Sequence, residues 1–412
     1  MICKVEALHY RCLRYIEKEL GNFHILVGPN ASGKSTFLDV ISFLGDIVRD
    51  GPELAIRKRT PNYNDLMWLK EGTSFELSIE MGIPSQYNEI VGRTGNCRYE
   101  IAIGKLPDSE ECGILSETLW FKPKQKTVRR QLQIFPDPIE PPQTIVVSGT
   151  KRNWKKIANK VKGGNDNFYA ETKGFDHAFK LGPQKSALGN LPEDEKKFPV
   201  ATWVKRTLLQ GIQVLMLNSE IMRKPSPPGL PKHFRTDGSN LPWVVERLFK
   251  EDVNRFHAWI EHLQTALPDL KHIKTILREE DKHRYLVLKY NNGLEVPSWG
   301  VSDGTLRMLA LTILAYLPDI DGIFLIEEPE NGIHPKAIET IFQSLSSVYN
   351  AQIILATHSP VILSAANIEN ILCFAKSDNG ATDIIAGSEH PELKEWKGET
   401  PLDVLFASGV LG

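Results

Sequence analysis

The chemistry in this sequence begins with Gly28-Pro29-Asn30-Ala31-Ser32-Gly33-Lys34-Ser35-Thr36, which fits G-x-x-x-x-G-K-[ST] in full. Glycines at those positions let the backbone curl so that successive N–H groups face inward as an anion nest, and a following helix adds the positive end of its dipole. Lys34 places an ammonium on the β- and γ-phosphates of a nucleotide, and Ser35 offers a hydroxyl to Mg²⁺. Gly28, Asn30, Ala31, Ser32, Gly33, Lys34, Ser35 and Thr36 are therefore the candidate nucleotide-binding residues. A second group lies at Ile323-Phe324-Leu325-Ile326-Glu327-Glu328-Pro329-Glu330, four apolar residues running into acids. Beside a phosphate loop, Glu327 would hold Mg²⁺ through water, leaving Glu328 free to orient and deprotonate the attacking water. Taken alone, the same acids would read as a solvated strand end.

These groups need elements to position them. Phe23–Val27 is a short apolar run ending in Gly28-Pro29-Asn30, a buried strand feeding a turn. Phe37, Leu38, Val40, Ile41 and Leu44 have helical spacing across 34–47. An opening hairpin is expected over 2–16 and strands at 75–81 and 99–103. From 104 to about 200 the periodicity fades and Pro, Gly, Lys and Asp accumulate, which reads as an insertion. Ser239-Asn240 is expected to cap one long helix through Leu263, with Pro242 in its first turn. A hairpin follows at 285–296 around Asn291-Asn292-Gly293. Beyond 300, helix 305–316, strand 322–326, helix 335–349 and strand 352–356 alternate, as in an α/β protein with a parallel sheet.

Composition narrows the class. The 412 residues are 41% hydrophobic, enough for a core, and carry 49 Lys+Arg against 51 Asp+Glu. No apolar run approaches the ~20 residues that span a bilayer, and the N-terminus lacks a secretory pattern, so a soluble cytoplasmic protein is expected, with no membrane partner. Five scattered cysteines without a C-x-x-C pair suggest neither a disulfide framework nor a zinc site. The net charge of -2 argues against a uniformly basic nucleic-acid binder. Yet 121–164 holds Lys122, Lys124, Lys126, Arg129, Arg130, Lys151, Arg152, Lys155, Lys156, Lys160 and Lys162 against Asp137 and Glu140, eleven minus two or +9. With Trp154 inside it, the part from Lys151 to Lys162 suits DNA phosphates, an acidic protein, or simply solvent.

In this order, the segments resemble an ATP-binding-cassette (ABC) ATPase of the SMC/RecF/OLD kind, and in particular the stand-alone AAA-family ATPases found in bacterial anti-phage defence operons. The likeness rests on the phosphate loop, the acidic strand, Trp299-Gly300-Val301-Ser302-Asp303-Gly304-Thr305 at the place of the signature loop, and Ile354-Leu355-Ala356-Thr357-His358-Ser359-Pro360 at that of the switch histidine. Glu330-Asn331-Gly332-Ile333-His334-Pro335 resembles the D-loop. The match is strong over 1–50 and 299–363 and loose between.

The resemblance implies an ABC-ATPase-like α/β head, its mixed sheet carrying the phosphate loop and flanked by helices, plus an α+β insertion. Four regions follow: 1–103 as the first part of the head, 104–238 as insertion or arm, 239–298 as a helical and hairpin lead, and 299–412 as the second part. It implies hydrolysis of ATP with Mg²⁺ by a homodimer or higher homo-oligomer closed around nucleotide. In that arrangement Ser302 and the N–H groups of Gly304 and Thr305 grip the γ-phosphate held by the partner, although Ser302 is also an ordinary helix cap. Glu328 and His358 become the catalytic residues, His358 bonding the γ-phosphate or the attacking water, while Ser35 and Glu327 become the metal ligands. Some relatives carry a nuclease domain after this histidine; here 54 residues follow it (412 minus 358), so a nuclease- or toxin-like effector is expected as a separate chain. A RecF-like DNA-binding ATPase in repair or recombination shares every motif. So would a module that holds ATP without turnover, whereas a transporter subunit fits poorly with Ser-Asp-Gly-Thr and with the length of 37–301. Gln86 is the candidate Q-loop glutamine, and Arg57 and Arg59 stand where a nucleotide- or DNA-reaching arginine would, although a solvated charge run is the favoured reading of the two.

Overall fold

The computed structural model describes residues 1–92, 95–107, 111–124, 134–393 and 402–407. They form two compact units: Met1–Ile212 with 368–393, and Gln213–Asn367 with 402–407.

In the first unit, alternating apolar and charged residues build an eight-stranded antiparallel sheet. Its spatial order is Leu13–Glu19, Ile2–Tyr10, Ser74–Gly82, Asn96–Lys105, Cys112–Lys122, Lys155–Val161, Asp166–Phe168 and His177–Phe179. The strand Cys112–Lys122, which the fading periodicity hid, pairs along its whole length with Asn96–Lys105. One face packs apolar rings, with Phe75 5.1 Å from Tyr10 and 5.9 Å from Phe43, the latter on the helix Lys34–Asp50. The other carries a buried charge network of Glu6, Glu80, Arg98, Glu100 and Lys122. Arg98 donates to Glu6, to Glu100 at 2.7 Å and to the Ile145 carbonyl at 2.9 Å, while Lys122 pairs with Glu80. Buried ions persist only when so satisfied. The strand Phe23–Val27 runs parallel to Ile371–Lys376, which pairs antiparallel with Thr382–Ala386.

The second unit holds the strand Ile323–Glu327 parallel to Gln352–Ala356, with helices Asp303–Thr312 and Pro335–Ser346. The expected long helix from 241 is two, Leu241–Glu251 and Val253–Ala266. Asp252 leaves the helical region and its carboxylate accepts the Arg255 N–H at 3.0 Å, capping the second helix, while Phe249 and Phe256 keep the apolar stripe continuous at 5.1 Å. The cap expected from Asn240 does not form: its amide instead donates to the Pro231 and His233 carbonyls. The hairpin Arg284–Tyr290 and Glu295–Pro297 gains a third strand, Leu270–Leu277. Among the described residues no helix is long and apolar enough to cross a membrane.

Candidate functional site

The phosphate loop belongs to the first unit, between the strand Phe23–Val27 and the helix Lys34–Asp50. Three of its residues have left-handed backbone: Gly28 (φ 145°), Ala31 (φ 62°) and Gly33 (φ 105°). Two are glycines for a reason beyond φ. A Cβ on Gly28 would stand 2.1 Å from the Phe374 carbonyl oxygen, and one on Gly33 2.5 Å from Thr382 Oγ1. Thr382 Oγ1 also donates to the Ser32 carbonyl at 2.9 Å, so the strand Thr382–Ala386 buttresses the loop from behind. The helix opens at Gly33 without a side-chain cap, as an anion-binding terminus requires. Ser32 Oγ is buried without a partner among the described residues, and Lys34 Nζ donates to the Gly28 and Pro29 carbonyls at 2.8 and 2.9 Å. An uncapped helix start, a lysine folded over the loop and an orphaned hydroxyl together fit a phosphate chain. Ser35 and Ala31 are exposed, and Thr36 Oγ1 accepts from Cys12 Sγ at 3.5 Å. Phe374, Thr382 and Cys12 carry no local signal in the sequence: Thr382 lies 350 residues from Ser32 and belongs to no motif.

The second unit gathers the acids, the D-loop turn, the signature loop and the switch segment. Glu327 ends its strand exposed, an oxygen donor that, like the Ser35 hydroxyl, has the hardness Mg²⁺ prefers. Glu328 is half-buried and holds φ 46°, a left-handed conformation that costs a non-glycine residue about 1–3 kcal/mol and clusters at active sites. It is held there by its N–H to the Ala356 carbonyl (2.8 Å), by the Asn331 N–H to its own carbonyl (3.0 Å), and by the Asn331 amide on Oε2. Glu330 Oε1 accepts both the Thr357 hydroxyl (2.7 Å) and the His358 N–H (3.0 Å), tying the D-loop turn to the switch segment. Ser302 caps the helix Asp303–Thr312 by accepting the Thr305 N–H at 3.2 Å. Gly304 is small because a Cβ there would meet the Gly332 carbonyl oxygen at 2.5 Å, so signature helix and D-loop turn pack back to back.

The remaining candidates divide. Arg57 is exposed and pairs with Glu53, a solvated helix pair. Arg59 is not solvated: its guanidinium binds Asp39 (2.7 Å) and Asp46 (2.9 Å) and lies 4.4 Å from the Phe43 ring. Gln86 is exposed in the turn Ser85–Tyr87. The basic stretch is thinner than its +9 count. Lys122 and Lys160 are buried against Glu80 and Asp166, and Lys155 Nζ donates to the Ala170 and Glu171 carbonyls at 3.0 and 3.1 Å. Lys151, Arg152, Lys155 and Lys162 are exposed, while Lys126, Arg129 and Arg130 lie outside the described residues.

Comparisons with known proteins show the family and the fold. The profile of the family described as "AAA domain, putative AbiEii toxin, Type IV TA system" matches residues 23–127 and 165–364. The "Retron Vc95 probable ATPase" of Vibrio cholerae serotype O1 biovar El Tor is 30% identical over 124 residues, 27% of this chain and 23% of that protein. The "Old nuclease" of Escherichia phage P2 is 32% identical over 89 residues, 19% of this chain and 15% of that protein. The chain thus spans less than a quarter of the length of these curated relatives. Among solved structures, an Smc head bound to the C-terminal winged-helix domain of ScpA superposes with a TM-score of 0.51 at 14% identity, over 93% of this chain and 97% of that one. A Pyrococcus furiosus Smc head with an extended coiled coil, bound to the C-terminal domain of ScpA, gives 0.50 at 12% identity, over 93% and 95%. The fold is therefore that of an SMC ATPase head.

Proposed function

The chain belongs to the AAA-domain ATPase family whose profile it matches, and from that premise we propose that it hydrolyses ATP with Mg²⁺ and uses its nucleotide state to control a separate effector protein. The observation that carries the reading is the phosphate loop, where Gly28, Ala31 and Gly33 turn the backbone around an uncapped helix start. In this reading the loop N–H groups and Lys34 hold the β- and γ-phosphates. Ser35 and Glu327 are the residues that would hold Mg²⁺, which when bound neutralises phosphate charge. Glu328 orients a water and takes its proton as the water oxygen bonds to the γ-phosphorus and the bond to ADP breaks. Its left-handed backbone and the Asn331 amide fix the carboxylate before substrate arrives. His358, its N–H held by Glu330, hydrogen-bonds the γ-phosphate or the water and reports whether the site is filled. Ser302, Gly304 and Thr305 grip the γ-phosphate held by a second copy, so that two chains close around two nucleotides.

Support for an effector comes from the family description, which names a toxin, and from the relative named as a nuclease; a role in anti-phage defence is proposed on the same ground. The exposed cations Lys151, Arg152 and Lys162 are the surface proposed to meet DNA. The decisive variant is Glu328→Gln, measured by phosphate release. Loss of a general base costs about 10²–10⁴ in rate, here with ATP still bound and the dimer trapped. Turnover equal to the parent's would overturn the assignment.

A further inference from the structure

We propose that a cleft beside the signature loop, lined by Glu220, Arg223, Lys224, Pro225, Arg278 and Trp299, binds a nucleotide-type ligand, with its base on Trp299 and its phosphate on Lys224 and Arg278. The cleft is open to solvent and measures about 500 Å³, within the ~300–1,000 Å³ of small-molecule sites. Its most telling member is Trp299, which leaves 51% of its surface exposed although it is the largest side-chain type. Its ring is not loose: it packs at 5.0 Å and 43° on Tyr285, whose ring in turn lies 5.8 Å from the Arg278 guanidinium. A braced indole with an open surface is a stacking platform, and every nucleobase presents a flat π-face to such a platform.

Charge selects among flat ligands. Three cations line the cleft against one carboxylate, Glu220. Arg223 is committed to the protein: it donates to the Val301 carbonyl at 2.9 Å and pairs with Asp303 at 2.8 Å. Lys224 is exposed, and the pair of Arg278 with Asp281, at 3.6 Å and solvent-exposed, is weak, so these two are the cations that a phosphate would recruit. Arg223 Nε is buried with no partner among the described residues, so the arginine is held from one side only.

The cleft is wired to the signature loop. Trp299 lies in the turn Ser298–Gly300, Ser298 Oγ donates to the Arg223 carbonyl at 2.8 Å, and Arg223 reaches across to Val301 and Asp303, on either side of Ser302. A base settling on Trp299 therefore pulls on the residues that flank Ser302, and occupancy of the cleft sets how well that loop grips phosphate. This coupling rests on the role proposed for Ser302; the binding itself does not.

A free nucleotide and the 5′ end of a nucleic-acid strand share this chemistry, and the test separates them. Full-length chain carrying Lys34→Ala, which silences the phosphate loop, is titrated by calorimetry with AMP, with adenosine and with a short 5′-phosphorylated oligo(dA). AMP or the oligonucleotide binds, adenosine binds at least tenfold more weakly, and Trp299→Ala or Arg278→Glu weakens the phosphorylated probe about tenfold or more, while Trp299→Phe retains it. An oligonucleotide that binds more tightly than AMP assigns a strand end; AMP binding as tightly or better assigns a free nucleotide. Absence of binding by both phosphorylated probes, or equal binding in the Trp299→Ala and Arg278→Glu variants, overturns the proposal. For the coupling, AMP shifts phosphate release by the parent at fixed ATP and does not shift it in Arg278→Glu; binding without that shift overturns the coupling alone. Should the parent fail to bind ATP, the ATPase reading falls while the Lys34→Ala titration still reads this cleft.

Discussion

The charged face of the antiparallel sheet and the acidic end of the strand Ile323–Glu327 use the same residue types for opposite ends. On the sheet, Glu6, Glu80, Arg98, Glu100 and Lys122 are all less than a tenth exposed, and Glu100 spends its oxygens on Arg98, on Trp120 Nε1 at 2.8 Å and on the Val147 N–H at 2.9 Å. Nothing is left over for a substrate. At the strand end Glu327 is exposed, and Glu328 sits on a strained backbone with one oxygen held by Asn331. The first set of charges is satisfied within the fold, whereas the second is held open on a strained backbone, which is the contrast that the role proposed for Glu328 rests on.

The contrast can be broken most sharply by paired variants. Glu328→Gln is expected to lower turnover by about 10²–10⁴ while shifting the unfolding midpoint little, since its site is partly open. Arg98→Met should do the reverse. It strands Glu6 and Glu100 around a missing cation, leaves Glu80 to Lys122 alone, and costs about 3–5 kcal/mol in denaturant unfolding, with ATP affinity per folded chain unchanged. Loss of turnover without loss of stability in Arg98→Met would erase the distinction.

The contrast also explains what could be read from the chain alone. The phosphate loop, its strand and its helix were legible because a local motif and a local periodicity coincide at 23–50. The strands 323–327 and 352–356 were legible because buried parallel strands are continuous apolar runs. The strand Cys112–Lys122 was not, since both of its faces are buried, with Glu117 on one and Trp120 and Lys122 on the other, a mixture that follows neither simple pattern. Asp252 broke a helix that its apolar spacing made continuous, and the +9 of the basic stretch counted Lys122 and Lys160 as if Glu80 and Asp166 did not face them. Residues that act on the loop from far along the chain, Thr382 above all, left no local signal.

A smaller effect sharpens the same point among the lysines. Charge reversal at the exposed Lys151, Arg152 and Lys162 should weaken DNA binding and lower the salt slope by about 0.9 for each phosphate that is no longer neutralised. Reversal at Lys160, buried against Asp166, should instead unfold the sheet edge. Affinity unaffected by the exposed reversals would remove DNA from the proposal. The smallest expected effect is at Glu171, whose carboxylate accepts the Val200 and Ala201 N–H groups at 2.8 and 2.7 Å yet is pushed up to about 7 by burial. The folded chain then keeps a proton that the unfolded chain releases near pH 4.5, so this residue's contribution is full below that value and is lost as pH rises through about 7. Glu171→Gln should flatten that part of the stability profile, read as urea midpoints between about pH 5 and about pH 8.

The most direct measurement mixes two inactive chains. Lys34→Ala lacks a working phosphate loop, and Ser302→Arg lacks a signature loop that can reach phosphate. If each nucleotide is shared between two copies, a mixed pair rebuilds one whole site from Lys34 of one chain and Ser302 of the other, and phosphate release reappears on mixing. A mixture as inactive as its two components, in preparations that form mixed dimers, would contradict the account.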